Sequence, residues 1–161
     1  MPLLGGRGRR ALTPEDVTRV ADTFHGLDRE VRSVRHEVGA RTVFRVVGAE
    51  ESENGEEHGE IIFGPDIFPG EGIADPNSIL TMRAAAAHEL SHYHRWFDRR
   101  QIDEPGMIHV DEALTSLEAV QRYGRSLNQV EVEQLVGDAL HRLRLHFFDP
   151  VEQTEPDEDV E

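Results

Sequence analysis

Residues 83–98 read Arg-Ala-Ala-Ala-Ala-His-Glu-Leu-Ser-His-Tyr-His-Arg-Trp-Phe-Asp, and the fold turns on how this stretch is taken. Leu80, Ala84, Ala87, Leu90 and Trp96 recur at helical spacing, so the segment reads as a helix running to about residue 98. Asp75-Pro76-Asn77 reads as its N-terminal cap,. Four consecutive alanines allow close approach of neighbouring elements. Within the helix, residues 88–92 spell H-E-x-x-H. His88 and His92 lie one turn apart on one face, so both imidazoles can reach a single cation. Glu89 is rotated by about 100° from His88 and about 60° from His92. It therefore borders that cation without having to bind it, where a base acting on activated water belongs. Chance alone gives about 0.06 such matches in a chain of this composition, so the helical context carries the weight.

Working outward, Thr13-Pro14-Glu15-Asp16 reads as a helix start, with Thr as N-cap and Pro at the first helical position,. Val17, Val20, Phe24, Leu27, Val31, Val34 and Val38 follow at steps of three or four. They predict one helix from about 14 to 38, kinked at Gly26 and ended by Gly39. Residues 42–47 are β-branched and aromatic and read as a strand, and Ile61-Ile62-Phe63 as a second short one,. Further helices are expected at about 109–123 and 128–147, the latter opened by a capping box of Asn128 and Glu131,. The expected fold is α+β, with about four helices packed on a small two- or three-stranded sheet. Its boundaries are a flexible arm at 1–12, one domain at 13–148 containing an acidic loop at 49–60, and an acidic disordered tail at 149–161.

Composition narrows the chemistry. The 161 residues suit one ordinary domain,. Cys is absent, and all 17 basic residues are Arg. That excludes thiolate nucleophiles, disulfides, Cys-ligated metals and lysine Schiff bases. The formal charge of −15 is concentrated in Glu50–Glu60, with six acids, and Asp149–Glu161, with seven; elsewhere 19 acids face 17 arginines. Both acidic runs read as solvated segments. Neither they nor the near-neutral body suit nucleic acid, which requires a clustered basic face. No apolar run is long enough to span a membrane. The N-terminus lacks a secretory pattern, which makes the cytoplasm the expected location.

Two imidazoles need a third ligand, since catalytic zinc ordinarily has three protein ligands and an open position. Asp98, His109 and Glu112 are the candidates. Asp98 would require a helix break at Arg95, within a stretch that reads as helical, and His109 sits at a helix start. Glu112, with 19 residues between it and His92, lies early in the next helix and is favoured.

H-E-x-x-H followed by a helix bearing Glu112, Ala113 and Ser116 resembles the gluzincin metallopeptidases, the thermolysin-like branch of the zincins, over about residues 60–119. The resemblance implies one zinc ion per chain on His88, His92 and Glu112, with Glu89 as general base and acid in peptide-bond hydrolysis. It implies that Glu60–Gly64 is an edge strand pairing with extended substrate. Where the family often has Asp orienting a zinc-bound His, this chain has Ser116, so that contact falls to Asp111, Thr115 or Ser116. In length the chain is closer to minimal single-domain gluzincins, some of them latent or self-blocked.

Several residues remain unassigned. Tyr93, His94, His109, Tyr123, His141 and His146 are all chemically able to stabilise an oxyanion. Asp138 and His141 read as a surface pair on the last helix. His25, His36 and His58 read as exposed. Trp96, Phe97, Phe147 and Phe148 read as core, and residues 5–8 are discarded as a phosphate loop because no strand precedes them. The leading expectation is a zinc metallopeptidase acting on a peptide or protein, with a possible regulatory protein partner. The alternative is a zinc-binding interaction protein, latent or catalytically inactive, whose acidic segments dock an Arg-rich partner. A third reading makes the motif accidental in a helical adaptor.

Overall fold

The computed structural model describes residues 6–70 and 76–148; the expected tail at 149–161 lies outside them. Its elements are α1 (Pro14–Leu27), β1 (Val34–His36), β2 (Val43–Val47), β3 (His58–Phe63), α2 (Met82–Phe97), α3 (Ile108–Tyr123) and α4 (Gln129–Phe148). Four helices on one three-stranded mixed sheet make an α+β fold, as the residue pattern indicates. Among the described residues no helix is long and apolar enough to cross a membrane.

The first helix begins as expected. Thr13 Oγ1 accepts from the Asp16 amide, and Asp16 accepts from the Thr13 amide, satisfying two donors that a helix start leaves open. It ends far earlier than expected. Asp28 turns extended at φ −151 and ψ 107, and its carboxylate is held by His94 and Tyr123. Beyond it, Val34–His36 forms β1, parallel to Ile61–Phe63 of β3. Val31 and Val34 still face inward, but Val38 is exposed. The valine spacing fitted a helix; the strand partners offered by β3 override it, as tertiary pairing can.

The sheet order is β1-β3-β2, with β2 antiparallel to β3. This corrects the expected edge strand: Glu60–Phe63 belongs to the central strand, its ladder occupied on both sides, and β2 and β1 form the edges. The acidic segment is also shorter than expected, because β3 already starts at His58. Glu60 is held between Arg35 and Arg45 of the flanking strands. Gly59 has a packing reason, since a Cβ there would lie 2.7 Å from the Phe44 ring and 3.0 Å from Trp96,.

Helix α2 starts at Met82, not near residue 77. Thr81 caps it by accepting from the Ala84 amide. Ala84, Ala85, Ala86, Ala87 and Leu90 are wholly buried and join Val20, Phe24, Ile61, Phe63 and Leu135 in the core. Asn128 and Glu131 form the anticipated capping box for α4. Three aromatic assignments fail: Phe97, Phe147 and Phe148 are exposed at helix ends.

The expected loose arm is anchored at Arg7, while Arg9, Arg10 and Ala11 are exposed; residues 1–5 lie outside the described part. Arg7 is 5% exposed. Its guanidinium donates to the carbonyls of Asp66, Ile67, Asn77 and Leu80 at 2.6–2.9 Å. A buried cation is tolerable when every donor direction meets an acceptor, so Arg7 binds the chain's start to the segment leading into α2.

Candidate metal centre

Helix α2 presents His88 and His92 toward α3, and the two helices are locked at that level by the Ser91 hydroxyl, which donates to the Thr115 carbonyl at 2.7 Å. Glu112, on the first turns of α3, places Oε2 2.9 Å from His88 Nε2 and 3.1 Å from His92 Nε2. The three residues form a buried group whose ligand atoms lie within 4.8 Å of one another. Neither Asp98 nor His109 belongs to that group. Asp98 caps α2 and pairs with Arg100.

The far side of each ring decides what the near side can do. Asp138 Oδ2 accepts from Ser116 Oγ at 2.7 Å, so the single hydroxyl hydrogen of Ser116 is committed there,. Ser116 Oγ, 2.7 Å from His88 Nδ1, must then accept a hydrogen bond donated by that nitrogen. Thr115 repeats the logic for His92. Its hydroxyl donates to the Asp111 carbonyl at 2.7 Å and faces His92 Nδ1 at 3.4 Å. Both imidazoles thus carry a proton on Nδ1, and in their neutral forms both turn an Nε2 lone pair toward the same carboxylate oxygen. Three acceptors meeting at one point repel unless a proton or a cation lies among them. Of the three residues proposed for this supporting contact, Ser116 serves His88 and Thr115 serves His92. The Asp111 side chain instead turns away to Arg95 and the Ile102 amide.

The donor set fits a divalent ion. Ligands bound at about 2.0–2.1 Å in a tetrahedron lie about 3.3 Å apart, close to the separations seen here. Charge points the same way: the carboxyls of Glu89, Glu112 and Asp138 share this buried corner with one guanidinium, Arg142. Glu89 is fully buried, and neither carboxylate oxygen has a hydrogen-bond partner among the described residues. Burial pushes its carboxyl above the ordinary range,. Burial would do the same to Glu112, but the charges of His92 and Arg142, and the hydrogen bonds that the imidazoles donate from Nε2 when protonated, hold it well below its ordinary value. Burial would lower His92, but the charge and hydrogen bond of Glu112, together with the Glu89 charge, outweigh it and raise the imidazole. Burial would raise Asp138, but Arg142, His88 and the Ser116 hydroxyl together outweigh it and lower the carboxyl.

Two residues escaped the sequence reading. Arg142 is wholly buried, ion-paired to Glu112 at 3.6 Å and donating to Asp138 at 3.2 Å. Its signal was an arginine on the apolar stripe of Leu135 and Ala139, four residues after an Asp,. Asn77, expected as a cap, donates instead to Asp138 at 3.4 Å. Asp138 is therefore a buried hub and not a surface partner of His141. Among the oxyanion candidates, His94 and Tyr123 are both engaged by Asp28, and Tyr93 packs edge-on against Phe44 and Trp96. Phe44, from edge strand β2, stacks on His92 with centroids 6.4 Å apart.

No family model, curated protein or solved structure matches this chain.

Proposed function

We propose that the chain is a zinc-dependent metallopeptidase of gluzincin type, working in the cytoplasm on a peptide or protein substrate. The observation that carries this reading is the convergence of His88 Nε2, His92 Nε2 and Glu112 Oε2 beside the unpartnered, buried carboxyl of Glu89. These three side chains would hold one zinc ion per chain. When bound, zinc supplies Lewis acidity that activates water and polarises a carbonyl. Ser116 and Thr115 hold the rings so that their lone pairs face inward. Glu89, raised by its burial, is suited to accept a proton from the attacking water and pass it to the leaving amine,.

The test is substitution Glu89→Gln. Zinc content should stay at one per chain, while cleavage of a peptide that the unaltered protein hydrolyses falls by at least about a hundredfold. Equal cleavage by the variant overturns the role of Glu89. One observation favours a second reading, a latent zinc-binding protein: none of the four centre residues is more than 7% exposed. One zinc per chain with no cleavage across a broad peptide library would select that reading.

A further inference from the structure

The two imidazoles of the centre are held differently. His92 leans on a threonine whose proton ends on a backbone carbonyl of its own helix. His88 leans on a serine whose proton ends on a carboxylate from another helix, α4. That carboxylate is itself fixed from three sides, by Ser116, by Asn77 and by Arg142 Nε. Arg142 then reaches back to Glu112 at 3.6 Å. A closed circuit results, running His88, Ser116, Asp138, Arg142, Glu112 and returning to His88. Asp138 and Arg142 stand one turn apart on α4, and both are wholly buried.

We propose that Asp138, acting through Ser116 and braced by Arg142, is the positioning residue that fixes His88 with its proton on Nδ1. A helix that supplies no ligand thereby sets how tightly the metal is held. The inference rests on the metal-centre reading above, and it places the orienting carboxylate on α4 and not on the helix that carries Glu112. A carboxylate behind a ligating imidazole fixes its ring and raises its basicity, and losing such a partner ordinarily weakens metal binding about 10- to 100-fold. Because Ser116 and Asp138 act in one chain, their effects should not multiply.

Two measurements test this. Long-range nitrogen–proton NMR of the histidine rings in the metal-free protein should show His88 protonated at Nδ1; a ring protonated only at Nε2 overturns the relay. Zinc affinity, measured by competition with a chromophoric chelator, should fall at least about tenfold in Ser116→Ala and in Asp138→Asn. The double variant should bind no more weakly than the worse single one. Unchanged affinity in Ser116→Ala, or effects that multiply in the double variant, overturn the proposal. Should Asp138→Asn fail to fold, the tautomer and the Ser116→Ala affinity still decide, since Ser116→Ala removes only one hydroxyl. Failure of the unaltered protein to bind zinc counts against the metal centre itself, whereas the His88 tautomer judges the relay in either case.

Discussion

Helix α2 carries two clusters that look alike in composition and differ in what they lack. On one face, His88 and His92 meet Glu112; on another, two residues further along, His94 meets Asp28 with Glu30 nearby. In the second cluster Asp28 Oδ2 accepts from His94 Nε2 at 2.7 Å and from the Tyr123 hydroxyl at 2.6 Å. Two donors point at one acceptor, and the knot is complete. In the first, proton-bearing nitrogens face outward to Thr115 and Ser116, leaving lone pairs and a carboxylate facing inward. Residue type does not separate a cluster open to a metal from a structural knot; the direction of the protons does.

The comparison breaks most severely at the residues proposed to hold zinc. His88→Ala or His92→Ala should reduce zinc content, measured by elemental analysis, from one per chain to near zero, whereas His94→Ala should leave it unchanged. Loss of zinc in His94→Ala would erase the distinction. Next in size is linkage. Zinc at about 100 times its dissociation constant should stabilise the fold by about 2.7 kcal/mol, seen as a melting temperature raised by about 5–10 °C. A chelator should remove that gain, and His94→Ala should retain it. Smaller again, Tyr123→Phe should cost about 1.5 kcal/mol in denaturant unfolding with no change in zinc affinity.

The subtlest expected effect is acid sensitivity. Burial alone would raise the Asp28 carboxyl, but hydrogen bonds from Tyr123 and His94 more than offset it and lower it. A carboxyl lowered in the folded state contributes its stability fully above the unfolded value of about 3.9, and that contribution is lost as pH falls through the folded value. Acid titrations of the unaltered protein and Asp28→Asn should therefore differ in slope below about pH 4 and run parallel above it.

Much of this was legible because it is local. The span and spacing of His88, Glu89, His92 and Glu112 follow from one helical turn and from the early position of Glu112 on the next helix. The N-cap at Thr13 and the capping box at Asn128 need only four residues each. What escaped depends on distant partners. Val34 could belong to a helix or a strand until β3 lay beside it. Glu60 could be loop until arginines from two strands closed on it. Asp138 looked like half of an exposed pair because Ser116, Asn77 and Arg142 approach it from three parts of the chain. Arg7 gave no sign of burial, since the carbonyls that hold it belong to residues 66–80.

That grip on Arg7 has a mechanical consequence. Arg7 clasps the Asn77 carbonyl, and the amide of Asn77 rests on Asp138, so a tether runs from near the amino terminus to the heart of the molecule. Removing the Arg7 side chain would slacken residues 76–80 and be felt, through Asn77 and Asp138, at the ring of His88.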